Sequence, residues 1–298
     1  MAGRKDILSE RLRMLAGMVT VGSRLADVGC DHGYLSIELV RSGVCPAAIA
    51  MDVREGPLAA AGKHIGEAGL SQYITTRLSD GLGECRAGEA DALVCAGMGG
   101  RLMERILRAD MEKARGMREL ILQPQSELPQ FRLFLRENGF EIIDEDAVFE
   151  DGKYYFAMKA VYGGDCSRAV EAGTGRRESE KEDAAQDREG QEGAGTRDVE
   201  SGKEDAALDR ERQEGAGAGQ DTEEMQRLYD LYGKILLRKK HPVLLRYLRE
   251  RESYVKTLEQ SLAAACSPKA ERRRGEVCRE LGEIQAALAY FIPSVSGE

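Results

Sequence analysis

Residues 24–34 constrain the fold of this chain more than any other stretch. A short apolar run at 25–28 breaks into a tight, glycine-containing turn at 29–33, and an amphipathic run begins at Tyr34. A strand, a tight turn and a helix in this order open a nucleotide-binding α/β unit, where glycines let the backbone approach a ligand. The stretch therefore predicts a parallel sheet with a ligand site beyond its first strand.

The charge of this turn selects among ligands. Dinucleotide-binding turns carry three glycines as G-x-G-x-x-G. Here the pattern is D-x-G-x-D-x-G over 27–33, and Asp31 stands where the middle glycine would be. A carboxylate at that place opposes a pyrophosphate and suits a ligand with a cationic amino-acid part, for which S-adenosylmethionine (SAM) is the candidate. A nicotinamide dehydrogenase is disfavoured for the same reason.

Strand-like and helix-like segments alternate along the N-terminal half. After a helix over 6–18 and the first strand, further strands are predicted at 47–51, 74–78, 91–96 and 119–122, with helices at 55–68, at 101–111 and from a Ser126 N-cap. Two strand-like runs, 140–149 and 153–161, follow and are joined by Asp151-Gly152, a strong type I′ hairpin signal. A mostly parallel, Rossmann-like sheet with a terminal antiparallel hairpin is the usual plan of class I SAM methyltransferases.

The composition changes sharply after residue 163. Residues 164–222 are rich in Glu, Asp, Gly, Ala, Arg and Gln and carry a net charge of −8, out of −9 for the whole chain. Residues 181–195 recur almost unchanged at 203–217. Two copies with almost no large apolar residues cannot bury a core, so we predict a disordered acidic linker.

Helical periodicity returns at residue 223. Apolar residues at three- and four-residue steps run over 244–265 and again over 270–291, with an N-cap signal at Ser267-Pro268 between the two runs. Two such helices joined by a short link must fold back on each other. We therefore predict three parts: a methyltransferase domain over 1–163, the linker over 164–222, and a small antiparallel coiled-coil domain over 223–298.

Composition points to a soluble, cytoplasmic protein. The seven cysteines include no C-x-x-C pair, which favours reduced thiols over a disulfide scaffold or a zinc site. The N-terminus is polar, so we expect no signal peptide, and no apolar run approaches membrane-spanning length. We expect neither a metal nor a membrane partner, and a monomer is the favoured state.

Several residues at the predicted strand ends are candidates for ligand contact. Asp52 would accept hydrogen bonds from ribose hydroxyls, or is a solvated strand-end acid; Asp80 would meet the adenine amino group, or caps a helix. The string AGMGG at 96–100 suggests close backbone approach to a ligand, with a flexible loop as the alternative. His32 is either a ligand contact or a turn residue, while His64 and His241 are expected at the surface.

These strings together resemble the TrmK family, bacterial tRNA (adenine-N1)-methyltransferases that act on adenosine 22. The matching strings are LSERL at 8–12, ADVGCDHGYL at 26–35, DVREGP at 52–57, SDGL at 79–82, AGMGG at 96–100, LILQP at 120–124 and EDGK at 150–153. YGKIL at 232–236 and the helical hairpin are similar to the family's small coiled-coil domain. The acidic repeat at 164–222 departs from the family pattern.

The resemblance implies SAM as cofactor, tRNA as partner and methylation of adenine N1. Asp31 would stabilise positive charge on the base or only contact the methionine part of SAM, with His32 and Tyr34 positioning the base. The implied cofactor-binding residues are Asp27, Gly29, Gly33, Asp52, Val53, Asp80, Gly81, Ala96, Gly97 and Met98. The candidate RNA-binding residues are Arg238, Lys239, Lys240, Arg272, Arg273 and Arg274, which otherwise form a solvated helix face.

Three other functions compete with this interpretation. A methyltransferase with the same fold could act on another RNA or on a small molecule. The third alternative is a module that binds SAM and RNA without activity. A small-molecule methyltransferase has little use for a basic helical arm. The intact carboxylates at 27, 31, 52 and 80 argue against a module that has lost its activity.

Overall fold

The computed structural model describes residues 8–163, 218–265 and 267–292, with side chains from 223 onward in the second range. Most of the predicted linker, 164–217, lies outside the described residues. The described chain forms one seven-stranded sheet in the order β3-β2-β1-β4-β5-β7-β6. The strands are β1 (Leu25–Val28), β2 (Ala48–Asp52), β3 (Ile74–Leu78), β4 (Ala92–Met98), β5 (Glu119–Pro124), β6 (Phe140–Glu150) and β7 (Lys153–Tyr162).

The first five strands are parallel, and β7 pairs antiparallel with both β5 and β6. Asp151 and Gly152 join β6 to β7 with φ values of 49° and 77°, as a type I′ turn requires. The predicted Rossmann-like sheet with a terminal hairpin is therefore confirmed. Because β5 ends at Pro124 while β7 begins well beyond it, the hairpin tip projects past the carboxyl edge of the parallel strands.

In the described part of the chain, six helices cover the two faces of the sheet. α1 (Glu10–Met18), α2 (Tyr34–Arg41) and α3 (Glu55–Glu67) pack on one face, and α4 (Gly100–Ala109), α5 (Met111–Arg115) and α6 (Leu128–Glu137) on the other. Burial from both sides explains why every residue of β1, β2 and β5 is buried. The carboxyl edge of β1, β2 and β4 is thus the place where polar residues can meet a ligand.

One sequence expectation on the α4–α6 face was wrong. Ser126 does not cap α6: the hydroxyl of Ser126 donates to the carboxylate of Glu127, and Glu127 itself is the N-cap in a left-handed conformation (φ 58°). Pro129 lies in the first turn of α6. Proline has no N–H, but an N–H in the first turn would have no partner within the helix. The helix predicted at about 101–111 corresponds to α4, which ends at Ala109 before the short α5 begins.

The C-terminal part contains α7 (Ala218–Tyr232), α8 (Lys234–Arg238), α9 (Pro242–Ala263) and α10 (Pro268–Ala289). Ser267 caps α10 as expected, its hydroxyl accepting from the N–H of Ala270. Ion pairs join α9 to α10: Arg251 pairs with Glu280, and Glu259 with Arg274. Since residue numbers rise along α9 as they fall along α10, the two helices are antiparallel. Leu248, Val255, Val277 and Ile284 lie buried between them.

A buried ion pair attaches these helices to the sheet. Arg132 of α6 and Glu145 of β6 are 4% and 1% exposed, and their side chains meet at 3.0 Å. Arg132 also donates to the backbone oxygens of Asp230 and Leu231 at the end of α7, and Glu145 accepts from the N–H of Ile235 at the start of α8. This pair therefore satisfies backbone groups on both sides of the break between α7 and α8.

Gly233 makes that break possible. Its φ is 89°, and a Cβ placed there would lie 2.5 Å from Oε1 of Glu145. The absence of a side chain lets the backbone reach the buried carboxylate. The chain before residue 238 therefore forms two helices, α7 and α8, which meet at this buried ion pair.

His241 was wrongly expected at the surface. Its side chain is 16% exposed, and Nε2 lies 3.0 Å from Oδ1 of Asp146 on β6. Nδ1 accepts from the N–H of Val243 at the start of α9, so Nε2 carries the proton and donates. The hydrogen bond to His241 holds the pKa of Asp146 below its usual value. His241 is therefore a second polar link between β6 and the C-terminal helices.

Within the described ranges, no helix is both long enough and apolar enough to cross a membrane.

Candidate active site

A buried carboxyl group lies beneath the glycine turn. Asp27, near the end of β1, is 4% exposed, and the hydroxyl of Ser36 on α2 donates to its Oδ2 at 2.7 Å. Burial raises the pKa of Asp27 to about 6, against the opposing effect of the hydrogen bonds from Ser36. Asp27 therefore titrates just below neutral pH.

Two further carboxylates stand beside it in opposite environments. Asp52, the last residue of β2, is 5% exposed and accepts from the backbone N–H of Arg54 at 2.9 Å and of Asp31 at 3.4 Å. Asp31 has a left-handed backbone (φ 50°), which aspartate tolerates better than most residues. Its side chain is 65% exposed. The turn thus holds Asp52 inside and presents Asp31 to solvent.

Burial and the three carboxylates together suppress thiol chemistry at this site. Burial first, and then the charges of Asp27, Asp52 and Asp31, raise the pKa of Cys30 far above its ordinary value. Cys30 is thus a protonated, inert thiol. The five cysteines in the described ranges are free, while Cys166 and Cys266 lie outside them.

Aromatic rings line the far side of the turn. Tyr34 stacks on His64 of α3 with ring centroids 5.0 Å apart, and His32 lies 5.8 Å from each of them. The backbone oxygen of His32 is 3.1 Å from Nδ1 of His64. His64 is half-buried by these contacts and still reaches solvent, as expected for a residue at the surface. The structure thus brings the rings of His32 and Tyr34 together and adds that of His64.

The end of β4 reaches the same turn. A Cβ on Gly29 would lie 3.0 Å from Cε of Met98, so the methionine side chain covers the turn. A Cβ on Gly97 (φ 78°) would lie 3.1 Å from Nη1 of Arg11. Close approach at these glycines is made here by protein side chains, whereas the sequence suggested approach by a ligand, with a flexible loop as the alternative. Ala96 precedes them on the same strand and is half-buried.

The ends of β2 and β3 supply exposed groups. Val53 follows Asp52 and is 61% exposed. Asp80 is largely exposed, and its Oδ1 lies 3.6 Å from a guanidinium nitrogen of Arg105. Gly81 (φ 66°) is required by packing, since its Cβ would lie 2.8 Å from Ile106. Packing explains Gly33 (φ 73°) in the same way, since a Cβ there would lie 3.1 Å from Cβ of Ala61 on α3.

The predicted RNA-binding cations have mostly acquired protein partners. Lys239 pairs with Asp144, Arg273 with Glu276 and Arg274 with Glu259. The other three cations have weaker contacts. The guanidinium carbon of Arg238 lies 6.0 Å from the ring centre of Tyr229, and Lys240 donates to the backbone oxygen of Ile292. The side chain of Arg272 is exposed. Their contact with RNA stays a prediction.

Across the described residues, no cluster of three or more His, Cys, Asp or Glu is arranged to hold a metal ion.

The sequence and the structure are similar to those of known methyltransferases. A family described as "Methyltransferase domain" matches residues 8–158. The tRNA (adenine(22)-N(1))-methyltransferase of Bacillus subtilis (strain 168) is 38% identical over 156 residues, which are 52% of this chain and 66% of that protein. The match thus spans just under two thirds of that relative's length.

Two solved structures extend the likeness over nearly the whole chain. The m1A22 tRNA methyltransferase TrmK of B. subtilis has a TM-score of 0.65 at 26% identity and covers 95% of this chain and 100% of its own. A Streptococcus pneumoniae protein, solved with S-adenosyl-L-methionine and described as a candidate tRNA (m1A22) methyltransferase, has a TM-score of 0.66 at 26% identity, with coverage of 95% and 100%. With the family match covering half of the sequence and the expected strand order in place, the chain belongs to the methyltransferase-domain family, and its resemblance to TrmK is confirmed.

Proposed function

We propose that this protein is a SAM-dependent methyltransferase that modifies N1 of adenosine 22 in tRNA. The observation that carries the proposal is the set of three carboxylates, Asp27, Asp31 and Asp52, gathered around one glycine turn at the carboxyl edge of the sheet. The B. subtilis enzyme of that name, and the SAM complex of the S. pneumoniae protein, support both the reaction and the cofactor.

The residues at this edge fit SAM. Negative charge from Asp27 and Asp31 suits the cationic sulfonium and ammonium groups and opposes the phosphates of a dinucleotide. Asp52 keeps lone pairs for ribose hydroxyls, and the exposed Val53 offers an apolar surface for adenine, with Asp80 beyond it. When bound, SAM supplies the methyl group; the protein's part is to bind and orient the reactants.

The chemistry at the base requires little proton transfer. Neutral adenine N1 has a lone pair and needs no general base, but positive charge spreads over N1 and the exocyclic amino group as the bond forms. A carboxylate that accepts a hydrogen bond from that amino group stabilises the transition state. Asp31 is exposed at the carboxyl edge of the sheet, where it is accessible for this role. The rings of His32, Tyr34 and His64 offer a surface against which the base stacks.

N1 lies on the Watson–Crick edge of adenine, so a paired adenosine must leave its helix before reaction. Since the hairpin tip and α9 extend past the carboxyl edge of the sheet, they are placed to contact RNA around the extruded base. A protein that acts on tRNA works in the cytoplasm, and we propose that location.

The proposal is tested with purified protein, SAM and unmodified tRNA. We expect nucleoside mass spectrometry to detect 1-methyladenosine in the digested product, and none when SAM is replaced by S-adenosylhomocysteine. Methylation of a small molecule but not of tRNA would contradict the substrate. Binding of SAM without any methylated product would contradict the activity and favour a non-catalytic module.

The raised pKa of Asp27 predicts a pH-dependent affinity for SAM. A cationic ligand binds better to the ionised carboxylate, which is present above pH 6, so we expect affinity to fall as the pH is lowered from 7.5 to 5. Asp27→Asn keeps a hydrogen-bond acceptor for Ser36 and should bind SAM more weakly at pH 7.5, with a flatter pH profile. Isothermal titration calorimetry measures both. A wild-type affinity that is constant from pH 5 to 8 contradicts this role.

A further inference from the structure

Arg11 reaches the ends of β4 and β5 at the candidate site, although it comes from an N-terminal helix far away in sequence. Its Nη1 donates to Oε1 of Gln123, a fully buried residue near the end of β5, at 3.1 Å. The same nitrogen lies over Gly97 of β4, and the guanidinium carbon is 5.5 Å from the ring centre of Tyr155 on β7. Contacts with three strands therefore fix the guanidinium where the carboxyl ends of β4 and β5 meet the hairpin.

The local sequence explains how α1 delivers this side chain. Ser9 caps the helix by accepting from the N–H of Leu12, and the carboxylate of Glu150 near the hairpin tip accepts from the N–H of Glu10 at 2.6 Å. Both contacts anchor the first turn of α1 at the carboxyl edge. Arg11 lies in that first turn, directly beside the site.

The charge of Arg11 is not neutralised by the described part of the protein. Among the residues that the structure describes, its one hydrogen bond goes to an uncharged amide oxygen, and it forms no ion pair. A guanidinium has five N–H donors, so most of them stay available. Most other arginines near this edge are paired: Arg54 with Asp52, Arg101 with Glu127 and Arg105 with Asp80.

We propose that Arg11 binds a backbone phosphate of the RNA next to the extruded adenosine. This inference rests on the proposed function. A phosphate matches the paired N–H donors of a guanidinium and supplies the missing negative charge. The methylated base is a poor partner, because positive charge develops on it during the reaction and a nearby cation would oppose that charge. Arg11 is thus a substrate-binding residue that selects a nucleic acid over a free nucleobase.

The test compares Arg11→Gln with the wild type in tRNA binding and turnover. Loss of a charge-assisted contact should raise the KM for tRNA about 10- to 100-fold at 0.15 M salt, with the Kd for SAM unchanged. The slope of log Kd for tRNA against log salt should fall by about 0.7 to 0.9, the value for one lost phosphate contact. Arg11→Lys keeps the charge and should recover part of the affinity.

Arg118→Gln is the matched control. Arg118 is exposed just before β5 begins, at the opposite edge of the sheet from Gln123, so the same change of charge there should leave KM and salt slope unaltered. An unchanged KM and salt slope in Arg11→Gln would overturn the proposal. The proposal would also be overturned if Arg11→Gln and Arg11→Lys bound SAM equally weakly and had equally lowered melting temperatures. Arg11 would then have a structural role. If the wild-type protein makes no 1-methyladenosine, the proposed function itself fails. If the wild type is active and the Arg11 variants behave like it, only the proposal for Arg11 fails.

Discussion

Asp31→Asn should lower the rate of methyl transfer at saturating SAM and tRNA by about 100- to 1000-fold, the usual cost of removing one preorganised group that stabilises transition-state charge. Asparagine suits this position because it also tolerates the left-handed backbone (φ 50°) and keeps the side-chain volume. Single-turnover methylation of tRNA measures the effect on chemistry.

The same variant separates the two roles that the sequence left open. If Asp31 only contacts the methionine part of SAM, the Kd for SAM should rise while the rate at saturation stays near normal. The exposure of Asp31, compared with the buried Asp27 and Asp52, favours a role toward the substrate. A normal saturated rate in Asp31→Asn would refute its catalytic role.

Arg132→Met should destabilise the protein by about 3–5 kcal/mol, because it leaves the carboxylate of Glu145 buried without its partner. It also removes the donor to the backbone oxygens of Asp230 and Leu231. We expect the loss in chemical denaturation monitored by circular dichroism, with a melting temperature many degrees lower.

Two variants sharpen this prediction. Arg136→Met lies one turn further along α6 and removes a more exposed pair with Asp230, so it should cost less than about 1 kcal/mol. Replacing both Arg132 and Glu145 by Met should recover much of the stability, although the N–H of Ile235 then loses its acceptor. Equal effects of Arg132→Met and Arg136→Met would show that burial does not control the strength of this junction.

Features encoded by neighbouring residues could be predicted from the sequence. The turn at 29–33, the Asp151-Gly152 hairpin and the Ser267-Pro268 helix start each depend on a few adjacent residues whose backbone preferences agree with the fold. The alternation of strands and helices then gave the sheet, since parallel strands joined by helices have few arrangements.

Features that depend on distant contacts could not be predicted in this way. Arg132 and Glu145 have no local signal, because their meaning arises only when α7 and α8 place unsatisfied backbone groups beside them. His241 looked like part of a basic run, yet Asp146 lies 95 residues earlier. Arg11 was one of two arginines between apolar positions of α1, and only the cap at Ser9 and the ends of β4 and β5 show where it points.

The most direct test of the account maps the methylated position on tRNA. A transcript carrying adenosine 22 is treated with the protein and SAM and then copied by reverse transcriptase, which stops at 1-methyladenosine because the methyl group blocks the Watson–Crick edge. We predict a new stop at position 22 that disappears in a transcript with guanosine there. A stop at another adenosine, or the same stop in both transcripts, would contradict the assignment.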